Sequence, residues 1–219
     1  VDFDRCVDQI GEACGAWRER DVERRHDDWP LEPRDKTFED AKLARHYMVM
    51  MAPAPPAQDD RRYAAAVLAN VLGDADGSRL YWKLVDPGLA DEADLHHQPF
   101  DQAGAYLGFA SCAPEKAEEV EQAYLDEIDR AGENLAEEEV ERSRNKIALG
   151  LTLQDERPMG RMVALGRTWL YLGEYRPLSE DLDRLMAVTP DDLRDLVAAY
   201  PFQPRTTVRL RPGGGWEVR

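Results

Sequence analysis

Lysine is scarce in this chain. It occurs only at positions 36, 42, 83, 116 and 146, and the remaining basic residues are arginine. Acidic residues outnumber basic ones 44 to 28, a formal charge of −16, so the broad basic face that a phosphate backbone requires is missing. The same deficit argues against an anionic membrane surface as a partner. Cysteine is rarer still, at 6, 14 and 112. An odd count without C-x-x-C suggests neither a disulfide framework nor a zinc ribbon, and fits reduced thiols in a cytoplasm. No apolar run approaches the length of a membrane span. No signal peptide is visible, but the chain opens on Val1. The true N-terminus is expected upstream, and a removed signal peptide stays open.

What is present suffices for a core: 43% of the 219 residues are hydrophobic, which argues against wholesale disorder. Phe3, Val7, Ile10 and Cys14 recur at helical spacing, predicting an amphipathic helix that ends near Trp17. Residues 18–42 are dense in charge, carry Pro30 and Pro33 and have little periodicity, as expected of an extended linker. His46 to Met51 is a short apolar run with no room for a helix before Pro53, so it reads as a buried strand. Asp59 or Asp60 then caps a helix with Tyr63, Val67, Leu68, Val71 and Leu72 on one face, stopped at Gly73.

A shorter helix follows from Ser78 to Val85, ended by Pro87-Gly88. Two strands come next, Leu89 to His97 and Ala103 to Cys112. Asp91, Glu92 and Asp94 make the first a poor strand, suited to an edge. Pro114 opens a helix with Ala117, Val120, Tyr124 and Ile128 inward. From Ala136 the sequence supports one long helix, although Ile147, Leu149, Leu151 and Leu153 recur at period two. Met159 to Gly173 is predicted helical with Met162, Val163, Trp169 and Leu170 inward, and Ser179 is predicted to cap Leu182, Leu185 and Met186. Thr189 caps the last helix, with Pro190 in its first turn, Asp191 and Asp192 at the positive dipole end, and Val188 stapled onto Leu193. Thr206, Val208 and Leu210 form a closing, half-exposed strand. Strands and helices are grouped rather than alternating. The expected fold is α+β, a two-layer arrangement with a mostly antiparallel, mixed sheet and helices on one face.

Four stretches carry a resemblance: YAAAVLANVLGDADGSRLYWKLVDPGLADEA, DQAGAYLGFASCAPEKAEEV, LAEEEVERSRNKIALGLTLQDE and AVTPDDLRDLVAAY. In this order and spacing they resemble the C-terminal half of the pitrilysin/insulinase family of zinc metallopeptidases, which includes mitochondrial processing peptidase. The resemblance covers roughly residues 43–211. Residues 1–17 then resemble the last helix of a preceding half-domain, residues 18–42 a linker, and residues 212–219 a tail. It implies a division of labour. The N-terminal half carries H-x-x-E-H, whose two histidines reach one zinc while the glutamate activates water. The C-terminal half closes the chamber that holds the peptide. Its implied partner is that N-terminal half-domain, in the same or another chain.

The histidines here are 26, 46, 96 and 97, and no pair stands four apart. Zinc is therefore expected only in the catalytic partner half, and neither a catalytic nor a metal residue is assigned here. Active relatives place an arginine and, seven residues later, a tyrosine around the Gly-Leu-Ala motif, as donors to the substrate backbone and the developing oxyanion. By that spacing the substrate-facing positions here are Leu84 and Asp91, neither a donor at neutral pH. Lys83 or Val85 is reached by a one-residue shift, and Arg79 and Tyr81 lie nearby at the wrong spacing.

Other groupings have plainer readings. His96 and His97, beside Asp94, would point to opposite faces of a strand and cannot easily share an ion. Cys112 lacks an evident histidine base and reads as packing. GDADG lacks the full calcium-loop pattern, and the glycines at 213–215 precede no helix that could cradle a phosphate. Glu137, Glu138 and Glu139 read as the charged first turn of a helix. Two functions remain: the non-catalytic half of a zinc peptidase, or an inactive structural or interaction protein of the same fold. An H-x-x-E-H in the upstream sequence separates them. An unrelated α+β binding domain is a third reading, and would require a different sheet-and-helix layout.

Overall fold

The computed structural model describes residues 2–18, 20 and 32–213. Two compact units are present, Val1–Pro30 and Leu31–Arg219. The described part of the first is one helix, α1 (Phe3–Cys14), whose Asp2 side chain accepts the Arg5 N–H at 3.2 Å. It ends three residues before the expected Trp17.

The second unit contains five strands and six α-helices among its described residues: β1 (Asp35–Glu39), β2 (His46–Pro53), α2 (Arg62–Gly73), β3 (Glu92–Pro99), β4 (Gly104–Cys112), α3 (Ala117–Asp129), α4 (Glu137–Asp155), α5 (Pro158–Leu172), α6 (Leu178–Met186), α7 (Pro190–Ala199) and β5 (Thr206–Arg211). The strands form one sheet in the order β1-β5-β2-β4-β3, antiparallel except for β1 against β5. This is the expected α+β architecture with a mixed, mostly antiparallel sheet.

One face of the sheet is closed. His46, Met48, Met50 and Ala52 of β2, and Tyr106, Ala110 and Cys112 of β4, are buried, each set at period two. Two glycines allow helices this close. A Cβ at Gly73 of α2 would stand 2.2 Å from the Leu95 backbone nitrogen of β3. One at Gly108 of β4 would stand 2.1 Å from the Tyr124 hydroxyl of α3, which donates to the Asp94 carbonyl at 2.7 Å. Tyr106 also stacks on Phe202 with ring centroids 4.4 Å apart, an aromatic contact worth about 1 kcal/mol beyond its buried area.

Several expectations change. Asp35–Glu39, expected within the linker, is a strand, and most of residues 18–34 lie outside the described residues. Its partner β5 lies some 170 positions away, and the charges that disguised it are used across that pair: Arg211 meets Glu39 at 2.5 Å, and Arg209 bonds Asp35. Asp59 accepts the Arg61 N–H at 2.9 Å in the turn before α2, but the residue flanking that helix is Arg61 and makes no side-chain cap. Ser179 does not cap α6, which starts at Leu178 after extended Pro177. The shorter helix becomes a π-helical turn over Tyr81–Val85, with Ser78 Oγ accepting the Tyr81 N–H at 3.1 Å. α4 is one continuous helix of 19 residues, so helix propensity prevails over the period-two run. The largest change is α5. Met162, Val163, Trp169 and Leu170, expected inward, are all exposed. Thr189 caps α7 as expected, and Asp192, expected only to face the dipole, also bonds back to it to close a capping box.

Candidate functional site

The stretch Ser78–Asp91 folds back on itself through the π-helical turn, and its cationic side chains meet a wall of carboxylates. Arg79 Nη2 stands 2.6 Å from Glu139, and Arg79 donates to the Glu133 and Asn134 carbonyls at 3.0 and 3.1 Å. Lys83 Nζ pairs with Glu127 at 3.0 Å. Glu137 pairs with Arg144 at 2.8 Å. The acidic run at the start of α4 is therefore more than a dipole partner: two of its three carboxylates hold arginines in place.

Leu84 does not face a substrate. It is 0% exposed, inside the core. A leucine here gains by burial what an arginine would have lost by desolvation. Asp91 is exposed just before β3, and its carboxylate accepts from Arg45 Nη2 at 3.0 Å. Arg45 was invisible to spacing arguments, because it lies 46 residues from Asp91 and precedes a different strand. The Arg45 guanidinium beside Asp91 is thus already paired. An oxyanion here would meet a carboxylate instead of a fixed donor.

The described residues do not fit a zinc site. Among the described residues, no group of three or more His, Cys, Asp or Glu is placed to hold a metal ion. The two strand histidines point apart. His97 turns inward, its Nε2 2.9 Å from the Pro55 carbonyl, while exposed His96 lies 3.6 Å from Asp94. Burial lowers the pKa of His97, favouring the neutral ring. Burial pushes the Cys112 thiol up, the wrong direction for a nucleophile. In the GDADG loop, Asp74 pairs with Lys146 and its carbonyl accepts from Ser78 Oγ at 2.6 Å, so the loop is a helix-ending turn. The glycine stretch is described only at Gly213; positions 214 and 215 lie outside the described residues.

Among the described residues of the second unit, a sheet face and a cleft present open apolar surface. The first is the sheet face opposite α2 and α3. There Val49 lies between Phe109 and Val208, Met51 between Leu107 and Thr206, and Tyr47 beside Leu210. Val49 and Met51 remain 42% and 44% exposed in the central strand of the sheet. Side by side on the sheet, they make this face a candidate interaction surface. Nothing in the sequence signalled this open face, because the continuous run HYMVMM reads as a buried strand.

The second is a cleft of about 450 Å³ between α5 and the body, with apolar walls that include Ile147, Leu151, Leu165 and Leu172. At its margin Tyr63 gathers Arg62 at 2.6 Å and Arg176 at 3.0 Å, and donates to Asp181. Burial and the Asp181 bond raise the Tyr63 pKa, so the phenol stays protonated. Glu174 pairs with Arg176 at 2.5 Å, so the two guanidiniums meet two carboxylates, and the rest of the cleft is mainly apolar.

Comparison with known proteins agrees with this geometry. The family profile described as Peptidase M16 inactive domain matches residues 1–147. The chain is 28% identical to an uncharacterized zinc protease of Streptomyces coelicolor over 155 residues, 70% of this chain and 34% of that protein. In three dimensions it is similar to a protease from Helicobacter pylori, with a TM-score of 0.77 at 17% identity over 97% of this chain and 53% of the other. It is likewise similar to a chain of complex III2 from Candida albicans, with a TM-score of 0.80 at 14% identity over 96% of this chain and 53% of the other. At these identities the solved structures establish the fold alone. The chain spans about a third of the length of that curated relative and about half of each solved chain. The profile covers more than half of the sequence and carries the assignment: this chain belongs to the family of M16 peptidase inactive domains.

Proposed function

We propose that this domain is the non-catalytic half of a zinc-peptidase pair. It lines the peptide chamber with the open face of its sheet, while a separate H-x-x-E-H half supplies zinc and chemistry. The observation that carries the reading is the apolar row in the middle of the sheet, exposed Val49 and Met51 beside half-buried Tyr47, flanked by Phe109 and Val208. An extended peptide laid across such a face gains burial of alternate apolar side chains without sequence-specific hydrogen bonds, a mode suited to unfolded segments. The domain contributes grip rather than catalysis, since Leu84 is buried and Asp91 is paired.

Fluorescence anisotropy on the protein containing both halves tests this. The double variant Val49→Glu, Met51→Glu should weaken binding of an unstructured apolar peptide at least ~10-fold, because two buried contacts of about 1 kcal/mol each are replaced by charges. Unchanged affinity in a folded variant sinks the reading. This chain by itself should hold no stoichiometric zinc and cleave no peptide. One tightly bound zinc per chain, together with chelator-sensitive proteolysis, would overturn that.

A second reading, an inactive structural subunit of the same fold, is favoured by one observation. The donor positions are a buried leucine and an aspartate already bonded to Arg45. The two part on the upstream sequence: H-x-x-E-H there favours the peptidase pair, and its loss favours the structural role.

A further inference from the structure

The cleft beside α5 has a charge balance opposite to that of the chain. Arg62, Arg161, Arg167 and Arg176 line it, against the carboxylates of Asp155 and Asp181. Over the whole sequence acidic residues outnumber basic ones 44 to 28. Three of the four guanidiniums are matched. Arg62 lies 3.5 Å from Asp181, and Arg176 lies 2.5 Å from Glu174. Arg161 stands 3.9 Å from Asp155, near enough to offset its charge but too far for a hydrogen bond. Arg167 is exposed, and its guanidinium has no ion pair or hydrogen bond among the described residues.

The remaining wall is apolar and long. Leu165 and Leu172 of α5, Ile147 and Leu151 of α4 and the core residue Leu185 contribute to it. The α5 lining runs from Arg161 to Leu172, eleven positions, or about 16 Å along the helix. The volume of about 450 Å³ falls within the ~300–1,000 Å³ of small-molecule sites. His97 also lines the cleft, but its ring is neutral and its Nε2 is taken by the Pro55 carbonyl at 2.9 Å.

Charge selects the occupant. A cationic ligand finds both lining carboxylates already within 4 Å of an arginine. A neutral apolar ligand leaves Arg167 unanswered. A polyanion brings more charge than one guanidinium neutralises, into a chain whose formal charge is −16. A single carboxylate on an apolar body satisfies both the wall and the free cation. Repulsion from the rest of the chain is screened beyond about 8 Å at physiological salt, while the contact with Arg167 is direct.

We infer that this cleft binds a small, elongated apolar monocarboxylate, its carboxylate on Arg167 and its apolar body along the wall formed by α4 and α5. The cleft is lined chiefly by α2, α4, α5 and α6, on the helical side of the sheet, whereas Val49 and Met51 lie on the other face. The site is therefore independent of the peptide-binding reading, and neither depends on the other.

Calorimetry on this chain is the test, with straight-chain carboxylates of eight to fourteen carbons, below their micelle concentrations at pH 7.5. One molecule should bind per chain, with Kd tightening about threefold per added methylene until the cleft is filled. Decanoate should bind ~5-fold tighter than decanol, and Arg167→Gln should remove that advantage. Arg167→Lys should keep most of it. Arg130→Gln deletes the same charge at the end of α3, outside the lining, and should leave Kd unchanged. Leu165→Glu places a charge in the wall and should weaken both ligands more than ~10-fold. The Tm of each variant checks folding, and the exposed, unpaired Arg167 keeps the test decisive where Leu165→Glu unfolds the chain. Equal binding of decanoate and decanol overturns the inference, as does tighter binding of decyltrimethylammonium or a preference that survives Arg167→Gln. Absence of binding across the series, or a preference for acetylated, amidated trileucine over decanoate, overturns it as well.

Discussion

Helices α2 and α5 are similar in composition and opposite in environment. α2, RYAAAVLANVLG, buries eight of its twelve residues under the sheet and the neighbouring helices. α5, PMGRMVALGRTWLYL, buries none of its fifteen. The difference lies in what stands opposite each. α2 meets β3 so closely that Gly73 leaves no room for a Cβ. α5 touches the body across an open cleft and faces away from it with Trp169 and Met162. An apolar helix face shows that a residue is made to be covered. It does not say whether the cover lies in the same domain.

Substitutions can break or sharpen this contrast. The largest effect belongs to the closed side: Leu84→Ala should cost about 2–5 kcal/mol in chemical denaturation, because a fully buried leucine leaves a cavity. A cost under ~1 kcal/mol would mean that the π-helical turn is loosely packed. Next is the carboxylate wall. Glu139→Ala removes the 2.6 Å partner of Arg79, a guanidinium only 18% exposed, and should cost about 2 kcal/mol. Thr189→Ala removes one half of a capping box and should cost about 1 kcal/mol. At the small end, Trp169→Ser on α5 should change the stability of this chain by less than ~0.5 kcal/mol, despite deleting an indole. A large loss there would show that α5 is held by its own domain.

Acid should act on the closed side as well. Burial lowers the pKa values of His46 and His97 below the ordinary value of 6.5. The unfolded chain then binds more protons than the folded one as pH falls below about 6.5, so stability is complete above that value and declines beneath it. Urea midpoints measured from pH 7.5 to 5.5 should fall, and less steeply in the double variant His46→Gln, His97→Gln. Equal slopes would assign the decline to other groups.

The sequence-based view failed in instructive places. β1 was hidden because Asp35, Lys36 and Glu39 suppress the apolar alternation of an edge strand, and the strand that pairs with them is at the other end of the chain. Leu84 was aligned with a substrate-facing position by spacing alone, yet the π-helical turn rotates it into the core. The inward face of α5 was assigned from periodicity, which identifies a stripe but not its cover. Where the physics was local, the reading held. The Thr189 cap, the continuous α4 and the inward set Val120, Tyr124 and Ile128 all depend on residues within a turn or two of one another.

By itself, then, the sequence determined the order of most elements, the grouped α+β class, the Thr189 cap and the lack of paired histidines at helical spacing. Each follows from short-range backbone preferences and residue identity. Only the tertiary structure decided that Leu84 is closed off and that Arg45 answers Asp91. It also left Val49 and Met51 uncovered on the open sheet face, and α5 without cover. These depend on which segments, tens of residues apart, come to share a surface, and no local preference encodes that.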